Sequence, residues 1–263
     1  MNPQYFFKED LGWIKEKKLF LFFDFDGTLV PIQDNPSSCM LEGKIKSYIK
    51  RIVSNSLADV AIISGRSVED IKKRVNIKGI YYSGNHGLEI RGPGLNFIHP
   101  EIMPAIKLIK NAKKVISKYV EQIPGVFVED KHLSFTLHFR LADKEGKRLA
   151  KSIFKQILSK EFHNMPFKVL KGKEVLELTP LIDWDKGKAV LFIIKEIGQE
   201  YIPLYIGDDL TDETAFSAIK GQGITIRIGR SKNTDARYYL RTQHEIYNFF
   251  KKICDIIEKC HKK

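Results

Sequence analysis

LFLFFDFDGTLVPI, residues 19–32, is an apolar run that ends abruptly in two aspartates separated by a single residue. The run Leu19–Phe23 has the length and aromatic content of a β-strand that is buried on both faces. Carboxylates at the end of such a strand are unfavourable unless a ligand uses them, because unpaired buried charge is costly. Asp24 and Asp26 therefore predict a ligand site at the carboxyl end of the strand, where open α/β sheets bind ligands. The alternative is a strand followed by an ordinary Asp-Gly turn.

A second apolar strand followed by carboxylates lies far along the chain, in YIPLYIGDDLTDETAF at residues 201–216. Ile202–Ile206 reads as a buried strand, and Asp208, Asp209 and Asp212 follow it. Two strands that both end in aspartates can bring oxygen ligands to one hard cation. Mg²⁺ takes a few carboxylates and keeps several waters, so the two clusters together predict a Mg²⁺ site. The alternative is a set of solvated loop acids.

Length and charge limit the classes of protein to consider. A chain of 263 residues that is 43% hydrophobic can bury a substantial core and form one or two domains. Its net charge of +12 raises nucleic acid, membrane surfaces and anionic metabolites as partners. The lysines are spread along predicted helices, and no aromatic-rich basic motif accompanies them, so we expect no nucleic-acid partner. Steep salt-dependent retention on DNA would support the opposite view.

Cysteine usage and hydropathy bear on location. Cys39, Cys254 and Cys260 lack the spacing of a zinc site or a disulfide framework, which fits a reducing compartment. The early apolar run is too short and too acidic for a signal peptide, and no segment reaches transmembrane length. We therefore expect a cytoplasmic, monomeric protein without a membrane partner.

Predicted strands and helices alternate on both sides of a central segment, which indicates a parallel α/β sheet. The predicted elements are a helix at 41–55, a strand from Ala58 to Ser64, a helix capped by Ser67 and Asp70, two strands within 79–90, a helix at 186–198, strands at 202–206 and 224–229, and a tail helix at 241–260.

The central segment has a different pattern. It reads as helix, hairpin, helix and hairpin, at 104–122, 125–140, 143–160 and 167–180, with the second hairpin turning at Lys171–Lys173. This block is typical of an antiparallel α+β unit. We predict a core domain of residues 1–102 and 179–263 and an inserted cap domain of residues 103–178.

A carboxylate pair with a metal supports phosphoryl transfer. One aspartate can attack phosphorus, and the acyl phosphate that forms is labile to water. The other aspartate can protonate the leaving alkoxide and then take a proton from water. A metal offsets the repulsion between the attacking carboxylate and the phosphate dianion. An Asp-x-Asp spacing at a strand end can place both carboxylates beside one phosphate.

Three further features fit this chemistry, and each has a structural alternative. Ser64 can donate a hydrogen bond to a phosphate oxygen, or it can be a turn serine. Lys186 begins a predicted helix and can stabilise charge on the phosphate, although Lys188 competes for that role. The polar loop Gly84–Gly87 suits a sugar or a phosphate edge, but His86 can equally be a structural histidine.

DFDGTLV, the SGR of IISGRS, Lys186 and GDDLTDE occur in the order of the four motifs of the haloacid-dehalogenase-like (HAD-like) phosphatases. The chain therefore resembles that superfamily over most of its length. More narrowly it resembles the trehalose-6-phosphate phosphatase family in DGTLVPI, GNHGLEI, VEDKHLSFTLHFR, LELTP, DKGKAV and YIGDDLTDETAF. One departure is Asn85, where the family more often has serine. The resemblance implies an α/β fold with a HAD-like Rossmannoid core, a parallel sheet and a smaller inserted α+β cap that closes over the sugar.

The resemblance also implies roles for individual residues. Asp24 would be the nucleophile and Asp26 the acid/base, while Ser64 and Lys186 would hold the phosphoryl group. The Mg²⁺ cofactor would be held by Asp24, the Asp26 carbonyl and Asp208, with support from Asp209 and Asp212. The substrate would contact Thr28, Arg66, Asn85 and His86 in the core and Glu129, Lys131, His138 and Glu177 in the cap, although each of these four cap residues can also be a solvated hairpin residue.

The function implied is Mg²⁺-dependent hydrolysis of trehalose 6-phosphate to trehalose and phosphate, a step of trehalose biosynthesis. Two alternatives stay open. The same chemistry can serve another sugar phosphate, such as a glucosylglycerol or mannosyl phosphate ester, because the core motifs recognise only phosphate. An inert binding or regulatory module can keep the fold, but the joint presence of Asp24, Asp26, Lys186 and Asp208 argues against it.

Overall fold

The computed structural model describes residues 2–9, 18–33, 38–54, 58–163, 165–198 and 200–261, with side chains described up to residue 256. Its strands are β1 (Gln4–Tyr5), β2 (Leu19–Phe23), β3 (Ala58–Ile63), β4 (Tyr81–Gly84), β5 (Glu89–Gly92), β6 (Leu95–Ile98), β7 (Phe127–Asp130), β8 (Phe135–His138), β9 (Phe167–Gly172), β10 (Val175–Pro180), β11 (Ile202–Gly207), β12 (Ile224–Ile228) and β13 (Tyr238–Leu240). Its α-helices are α1 (Gly43–Val53), α2 (Val68–Val75), α3 (Ile102–Val120), α4 (Lys144–Glu161), α5 (Lys186–Ile197), α6 (Glu213–Ala218) and α7 (Ile246–His261).

The chain forms two compact units, residues 1–97 with 184–263, and residues 98–183. The first unit contains most of a mixed sheet with the order β1-β13-β12-β11-β2-β3-β4-β5-β6. Neighbouring strands from β1 to β4 in this order are parallel, and β5 pairs with β4 in the antiparallel direction. The fold is thus α/β with a predominantly parallel sheet, as the sequence predicts.

Strand β2 lies at the centre of this sheet, and its two faces pack against different layers. Leu19, Leu21 and Phe23 belong to the cluster that contains the buried side chains of α1 and α7. Phe20 and Phe22 belong to the cluster that contains the buried side chains of α5 and α6. All five side chains are at most 1% exposed, which confirms the prediction of a strand buried on both faces. The central strand therefore gives its carboxyl end a rigid, apolar support.

Pairing between β2 and β11 brings together the two aspartate clusters that are distant in sequence. Phe23 pairs with Ile206 in parallel register, and the Asp24 amide donates to the Ile206 carbonyl at 2.9 Å. Both strands consequently end at the same edge of the sheet. This register places the residues after β11 beside those after β2.

The second unit contains an antiparallel sheet with the order β7-β8-β10-β9. Strand residues alternate between its faces, so Phe135, Leu137, Leu176 and Leu178 join the apolar cluster with α3 and α4. Glu129, Thr136 and Glu177 are register partners across β7, β8 and β10, and they share the opposite, polar face. The two predicted hairpins therefore form one sheet with an apolar and a polar side.

Several element boundaries differ from the predicted ones. The second hairpin turns at Lys173–Glu174, because Val175 pairs with Gly172 and leaves a two-residue loop in which Glu174 has a φ of 62°. The tail helix begins at Ile246 and not at residue 241, because a 3-10 turn at Gln243–Glu245 precedes it.

Two cysteines and the hydropathy of the helices complete the description. Cys39 and Cys254 are buried as thiols, and the side chain of Cys260 lies outside the described residues. Among the residues that the structure describes, no helix has the length and apolar content needed to cross a membrane.

Candidate active site

The carboxylate of Asp24 directly follows β2 and is almost completely buried, with 5% of the residue exposed. Asp208 lies next to the same chain segment, because a Cβ added to Gly27 would be only 2.3 Å from its Oδ2 atom. Gly27 also has a φ of 91°, a value that L-residues rarely adopt. The glycine of the DFDGT motif is therefore needed both for the turn and for the close approach of Asp208.

Three carboxylates converge at this edge of the sheet. Asp24, Asp208 and Asp212 each offer an oxygen atom, and these atoms lie within 4.8 Å of one another. Hard oxygen ligands at such separations fit Mg²⁺, which is commonly held by a small number of carboxylates. The Asp26 carboxylate and Asp209 are not members of this cluster. The side chains present therefore fit a divalent cation between the ends of β2 and β11.

Lys186 lies among these carboxylates as the first residue of α5. Its Nζ atom donates to Asp24 Oδ1 at 2.8 Å and to Asp212 Oδ1 at 2.7 Å, and the residue is 3% exposed. Burial lowers the pKa of Lys186, but the carboxylates of Asp212 and Asp24 outweigh it and raise that pKa above its ordinary value. Lys188 is partly exposed, so the structure assigns the buried position to Lys186.

The charges in the cluster favour a further cation. Three carboxylates and one ammonium group carry a formal net charge of −2. Burial raises the pKa of Asp24 well above its ordinary value, against the opposing effect of Lys186, and the carboxylates of Asp212 and Asp208 raise it further. A divalent cation would offset this negative charge and favour the ionised form of Asp24.

Asp212 is fully buried and its two oxygens accept four hydrogen bonds. Oδ1 accepts from Lys186 and from the Tyr205 hydroxyl, each at 2.7 Å. Oδ2 accepts from the backbone amides of Asp208 and Asp209, each at 2.9 Å. A carboxylate has about four acceptor sites, so these donors already use its capacity. Asp212 is therefore built to fix the GDD loop and Lys186 in place.

Arg66 binds both oxygens of the Asp26 carboxylate. Its Nε and Nη2 atoms donate to Asp26 Oδ2 and Oδ1, both at 2.7 Å, and its Nη1 atom donates to Asp70 at 3.0 Å. Ser64, 1% exposed at the end of β3, accepts at Oγ from the Arg66 amide at 3.1 Å. The SGR motif thus places a serine hydroxyl and an arginine beside the DFD motif.

The GNHG loop braces the SGR loop. Asn85 and His86 both have left-handed backbone conformations, with φ of 50° and 56°. Their amides donate to the carbonyls of Arg66 and Ser64 at 2.7 and 3.0 Å. Trp184 then fixes the end of the loop, because its Nε1 atom donates to the Gly87 carbonyl at 2.8 Å. Asn85 and His86 therefore have a clear structural role beside the predicted ligand site.

Thr28 is completely buried, and its Oγ1 atom has no hydrogen-bond partner among the described residues. Its backbone carbonyl accepts from Gln243 Nε2 at 3.1 Å, which ties the DFDGT turn to the segment before α7. An unsatisfied buried hydroxyl is uncommon in native proteins and marks a place for a bound polar group or water.

The predicted sugar-binding residues of the second unit form two hydrogen-bonded groups. Glu177, 7% exposed, accepts from Lys131 Nζ at 2.9 Å, from Ser134 Oγ at 2.8 Å and from Thr136 Oγ1 at 3.4 Å. His138 Nε2 contacts Glu129 Oε2 at 2.8 Å, and the His138 ring stacks on Phe127. This unit therefore carries a preorganised polar surface of acids and bases on one side of its sheet.

Sequence reasoning did not single out two residues that shape the site. Tyr205 reads as a core residue of an apolar strand, and nothing in the sequence indicates that its hydroxyl reaches Asp212. Trp184 precedes the lysine helix without any motif of its own. Tyr205 donates to Asp212, seven positions further along the chain, and Trp184 donates to the Gly87 carbonyl, 97 positions earlier.

A predominantly parallel α/β sheet with an Asp-x-Asp motif after the central strand, and a lysine and a second acidic cluster beside it, defines a HAD-like phosphatase fold. The chain also matches the family model for trehalose-phosphatase over residues 22–244, which includes all these motifs and the inserted unit. The chain belongs to the trehalose-phosphatase family.

Similar proteins and solved structures agree with this membership. The chain is 32% identical over 265 residues to trehalose-phosphate phosphatase B of Arabidopsis thaliana, covering 95% of this chain and 70% of that protein. Its fold is similar to that of the C-terminal domain of C. albicans trehalose-6-phosphate phosphatase, with a TM-score of 0.81, 24% identity, and coverage of 97% and 98%. A crystal structure described as a trehalose-6-phosphate phosphatase related protein is similar at a TM-score of 0.79 and 25% identity, covering 93% of this chain and 100% of that chain.

Proposed function

We propose that this protein hydrolyses trehalose 6-phosphate to trehalose and inorganic phosphate, with Mg²⁺ and through an aspartyl-phosphate intermediate on Asp24. The observation that carries the proposal is the cluster of buried Asp24, Asp212 and Lys186 and half-buried Asp208 at the ends of β2 and β11. Family membership supports the sugar phosphate as the substrate class.

In the first step, Asp24 attacks phosphorus, so an oxygen–phosphorus bond forms to Asp24 and the bond to the sugar oxygen breaks. Lys186 holds Asp24 Oδ1 at 2.8 Å, which leaves Oδ2 as the attacking oxygen in our proposal. Asp26 gives a proton to the departing sugar oxygen. In the second step, Asp26 takes a proton from water, water attacks phosphorus, and Asp24 is released as a carboxylate.

Asp24, the carbonyl of Asp26 and Asp208 are the groups that we propose as Mg²⁺ ligands. When bound, Mg²⁺ supplies positive charge that offsets the repulsion between the Asp24 carboxylate and the phosphate dianion. Asp209 and Asp212 support the site through the loop after β11, where Asp212 accepts from two backbone amides.

Ser64 and Lys186 are the groups that we propose to hold the phosphoryl oxygens. Because Ser64 Oγ accepts from the Arg66 amide, its own hydroxyl proton is available for donation. The buried hydroxyl of Thr28 is a further donor in this region. Such fixed donors stabilise the charge that develops on phosphate oxygens in the transition state.

The polar face of the inserted sheet is our proposed site for glucose hydroxyls. Glu177 and Lys131 present an acceptor and a donor held together at 2.9 Å, and Glu129 and His138 present a second such pair at 2.8 Å. A sugar hydroxyl both donates and accepts, so alternating acids and bases are suited to it. Loss of these groups would then reduce binding of the sugar and leave the phosphoryl chemistry intact.

A substrate panel tests the proposal. Phosphate release is measured with trehalose 6-phosphate, glucose 6-phosphate, and glucosylglycerol and mannosyl phosphate esters, each with Mg²⁺ and with a chelator. We expect the highest kcat/KM for trehalose 6-phosphate, loss of activity with chelator, and no turnover by Asp24→Asn. Equal rates on small monosaccharide phosphates would contradict the disaccharide substrate, and an active Asp24→Asn would contradict the covalent mechanism.

We also propose a cytoplasmic location and a monomeric state. Buried thiols at Cys39 and Cys254 are consistent with a reducing compartment. Fractionation of the source cells tests the location, and light scattering of the purified protein tests the monomer. A dimer mass or an exported protein would contradict the respective expectation.

A further inference from the structure

Arg66 is a buried cation that the steps of the proposed reaction do not use. We propose that Arg66 is a positioning residue that holds the Asp26 carboxylate apart from the metal-binding carboxylates, and that Asp70 and Arg74 fix Arg66 for this purpose. The proposal rests on the proposed role of Asp26 in proton transfer.

Arg66 and Asp26 form a bidentate ion pair, called the fork below, in which two guanidinium nitrogens bind the two carboxylate oxygens. Arg66 donates through Nε and Nη2 to the two oxygens of Asp26, both at 2.7 Å. Two parallel hydrogen bonds from a planar guanidinium define the orientation of a carboxylate, which a single contact does not. Arg66 is only 6% exposed, whereas the side chain of Asp26 is 37% exposed. The fork is therefore rigid on its buried side, and the carboxylate remains accessible from the other.

A second layer fixes the guanidinium itself. Asp70 Oδ2 accepts from Arg66 Nη1 at 3.0 Å and from Arg74 Nε at 2.7 Å. Arg74 Nη1 donates in turn to the carbonyl of Cys39 at 2.7 Å. Asp70 and Arg74 are one turn apart on α2, so the helix provides a firm base for the chain of contacts. Such a sequence of charged groups from a helix to the active site is consistent with positioning.

Separation is needed because a fourth carboxylate, that of Asp26, follows β2 close in sequence to a member of the three-carboxylate cluster. Asp26 lies two residues after Asp24, and the cluster of Asp24, Asp208 and Asp212 with Lys186 already has a formal net charge of −2. A fourth carboxylate turned into this cluster would act as a ligand instead of a proton donor and acceptor. Arg66 gives the Asp26 carboxylate a different partner, and the exposed side of that carboxylate stays accessible to the leaving oxygen.

Substrates with different leaving groups distinguish positioning from general damage. The constant kcat/KM includes the steps up to departure of the leaving group. The sugar alkoxide of trehalose 6-phosphate needs a proton, whereas the p-nitrophenolate of p-nitrophenyl phosphate leaves without one. We expect Arg66→Met to lower kcat/KM for trehalose 6-phosphate by at least about tenfold, part of the roughly 10²–10⁴-fold contribution of general acid catalysis. The value for p-nitrophenyl phosphate should fall by less than about threefold, because nucleophilic attack does not require Asp26.

Matched variants accompany this measurement. Arg66→Lys restores a charge without the fork and should recover only part of the loss. Arg91→Met removes another partly buried arginine of the first unit, one that donates to the Phe97 carbonyl at 2.7 Å, and should leave the ratio of the two kcat/KM values unchanged. Asp70→Asn weakens the second layer and should lower the same ratio by about threefold or more, a fraction of the effect of removing general acid catalysis. If Arg66→Met does not fold, Asp70→Asn is the variant that tests the positioning role.

Asp26→Asn separates failure of this inference from failure of the proposed function. If Asp26→Asn lowers only the sugar phosphate rate while the Arg66 and Asp70 variants affect both substrates equally or neither, the positioning role is wrong and the proposed function stands. If Asp26→Asn affects both substrates equally, the proton-transfer role of Asp26 is wrong, and this inference is overturned with it. If Asp26→Asn, Arg66→Met and Asp70→Asn all lower kcat/KM for trehalose 6-phosphate more than for p-nitrophenyl phosphate, the result supports the positioning role.

Discussion

Replacement of Gly27 by alanine tests the link between the DFDGT turn and the acidic cluster. A Cβ at this position would lie 2.3 Å from Oδ2, 2.5 Å from Cγ and 2.6 Å from Oδ1 of Asp208. The new methyl group therefore meets the whole carboxylate at once, so a rotation about its terminal bond cannot relieve the contact. Asp208 must therefore leave its observed position beside Asp24 and Asp212.

The size of the effect follows from these distances. Normal non-bonded contacts need about 3.5 Å, so the carboxylate must shift by roughly 1 Å. A misplacement of about 1 Å at a reacting site can cost on the order of 10²-fold in rate. The positive φ of 91° adds backbone strain, which costs about 1–3 kcal/mol of folding free energy for a residue with a Cβ. We therefore expect Gly27→Ala to fold with reduced stability and to lose about 10²-fold in kcat, with a higher Mg²⁺ requirement.

The assay is phosphate release from trehalose 6-phosphate during a Mg²⁺ titration, together with urea unfolding. Gly229→Ala is the matched control, because Gly229 has a φ of 81° and a Cβ there would meet no atom within 4 Å. The two variants should lose similar stability, but only Gly27→Ala should lose activity and Mg²⁺ affinity. Wild-type activity and an unchanged Mg²⁺ midpoint in Gly27→Ala would refute the placement of Asp208 beside the turn as a requirement for catalysis.

Three further variants test single contacts. Lys186→Met leaves buried carboxylates without their ammonium partner, so it should abolish phosphate release and lower the free energy of unfolding by about 3–5 kcal/mol in urea; wild-type stability would contradict the buried ion pairs. Tyr205→Phe removes one of the four donors to Asp212 and should cost about 1–3 kcal/mol in the same assay, with activity reduced but measurable. Glu177→Gln should lower kcat/KM for trehalose 6-phosphate by about 10-fold or more while leaving p-nitrophenyl phosphate unaffected, since hydrogen bonds to charged groups are worth about 1.5–3 kcal/mol. Glu174→Gln, at the turn of the same hairpin, is its control, and an equal effect of both variants would contradict a specific role for Glu177.

The central strand could be predicted from sequence because its burial leaves a strong mark. An apolar and aromatic run of five residues with no polar position has few structural solutions, and β2 is the strand buried on both faces that this composition indicates. The same reasoning applied to β11. Once both strands were predicted, their terminal aspartates implied a shared edge, and the observed parallel register of Phe23 with Ile206 agrees.

The choice between Lys186 and Lys188 shows where sequence reasoning stops. Both residues begin α5, and successive helical residues are about 100° apart, so two positions separated by one residue face different directions. Only the packing of α5 determines which lysine faces the carboxylates. The structure buries Lys186 and keeps Lys188 partly exposed, with the Asp185 side chain capping the helix at the Lys188 amide at 2.9 Å.

Contacts between residues that are distant in the chain leave no local pattern in the sequence. The Arg66–Asp26 pair joins residues 40 positions apart, and the substrate contact of Arg66 that the family resemblance implies stays a prediction. Short strands were missed for a different reason. Strand β1 has two residues and strand β13 has three, so neither is long enough to show the alternating pattern of a strand. Both are stabilised by their neighbours in the sheet.

The division of the predicted site residues between the two units explains why the phosphoryl chemistry is easier to predict than the sugar. The carboxylate cluster, Lys186, Ser64 and Arg66 all belong to the first unit, where charge burial and strand ends restrict the possible residues. Glu129, Lys131, His138 and Glu177 belong to the second unit, on a polar sheet face where ordinary solvated residues would show the same alternation. Turnover of a small phosphate ester should therefore depend on side chains of the first unit alone, and discrimination among sugars on side chains of the second.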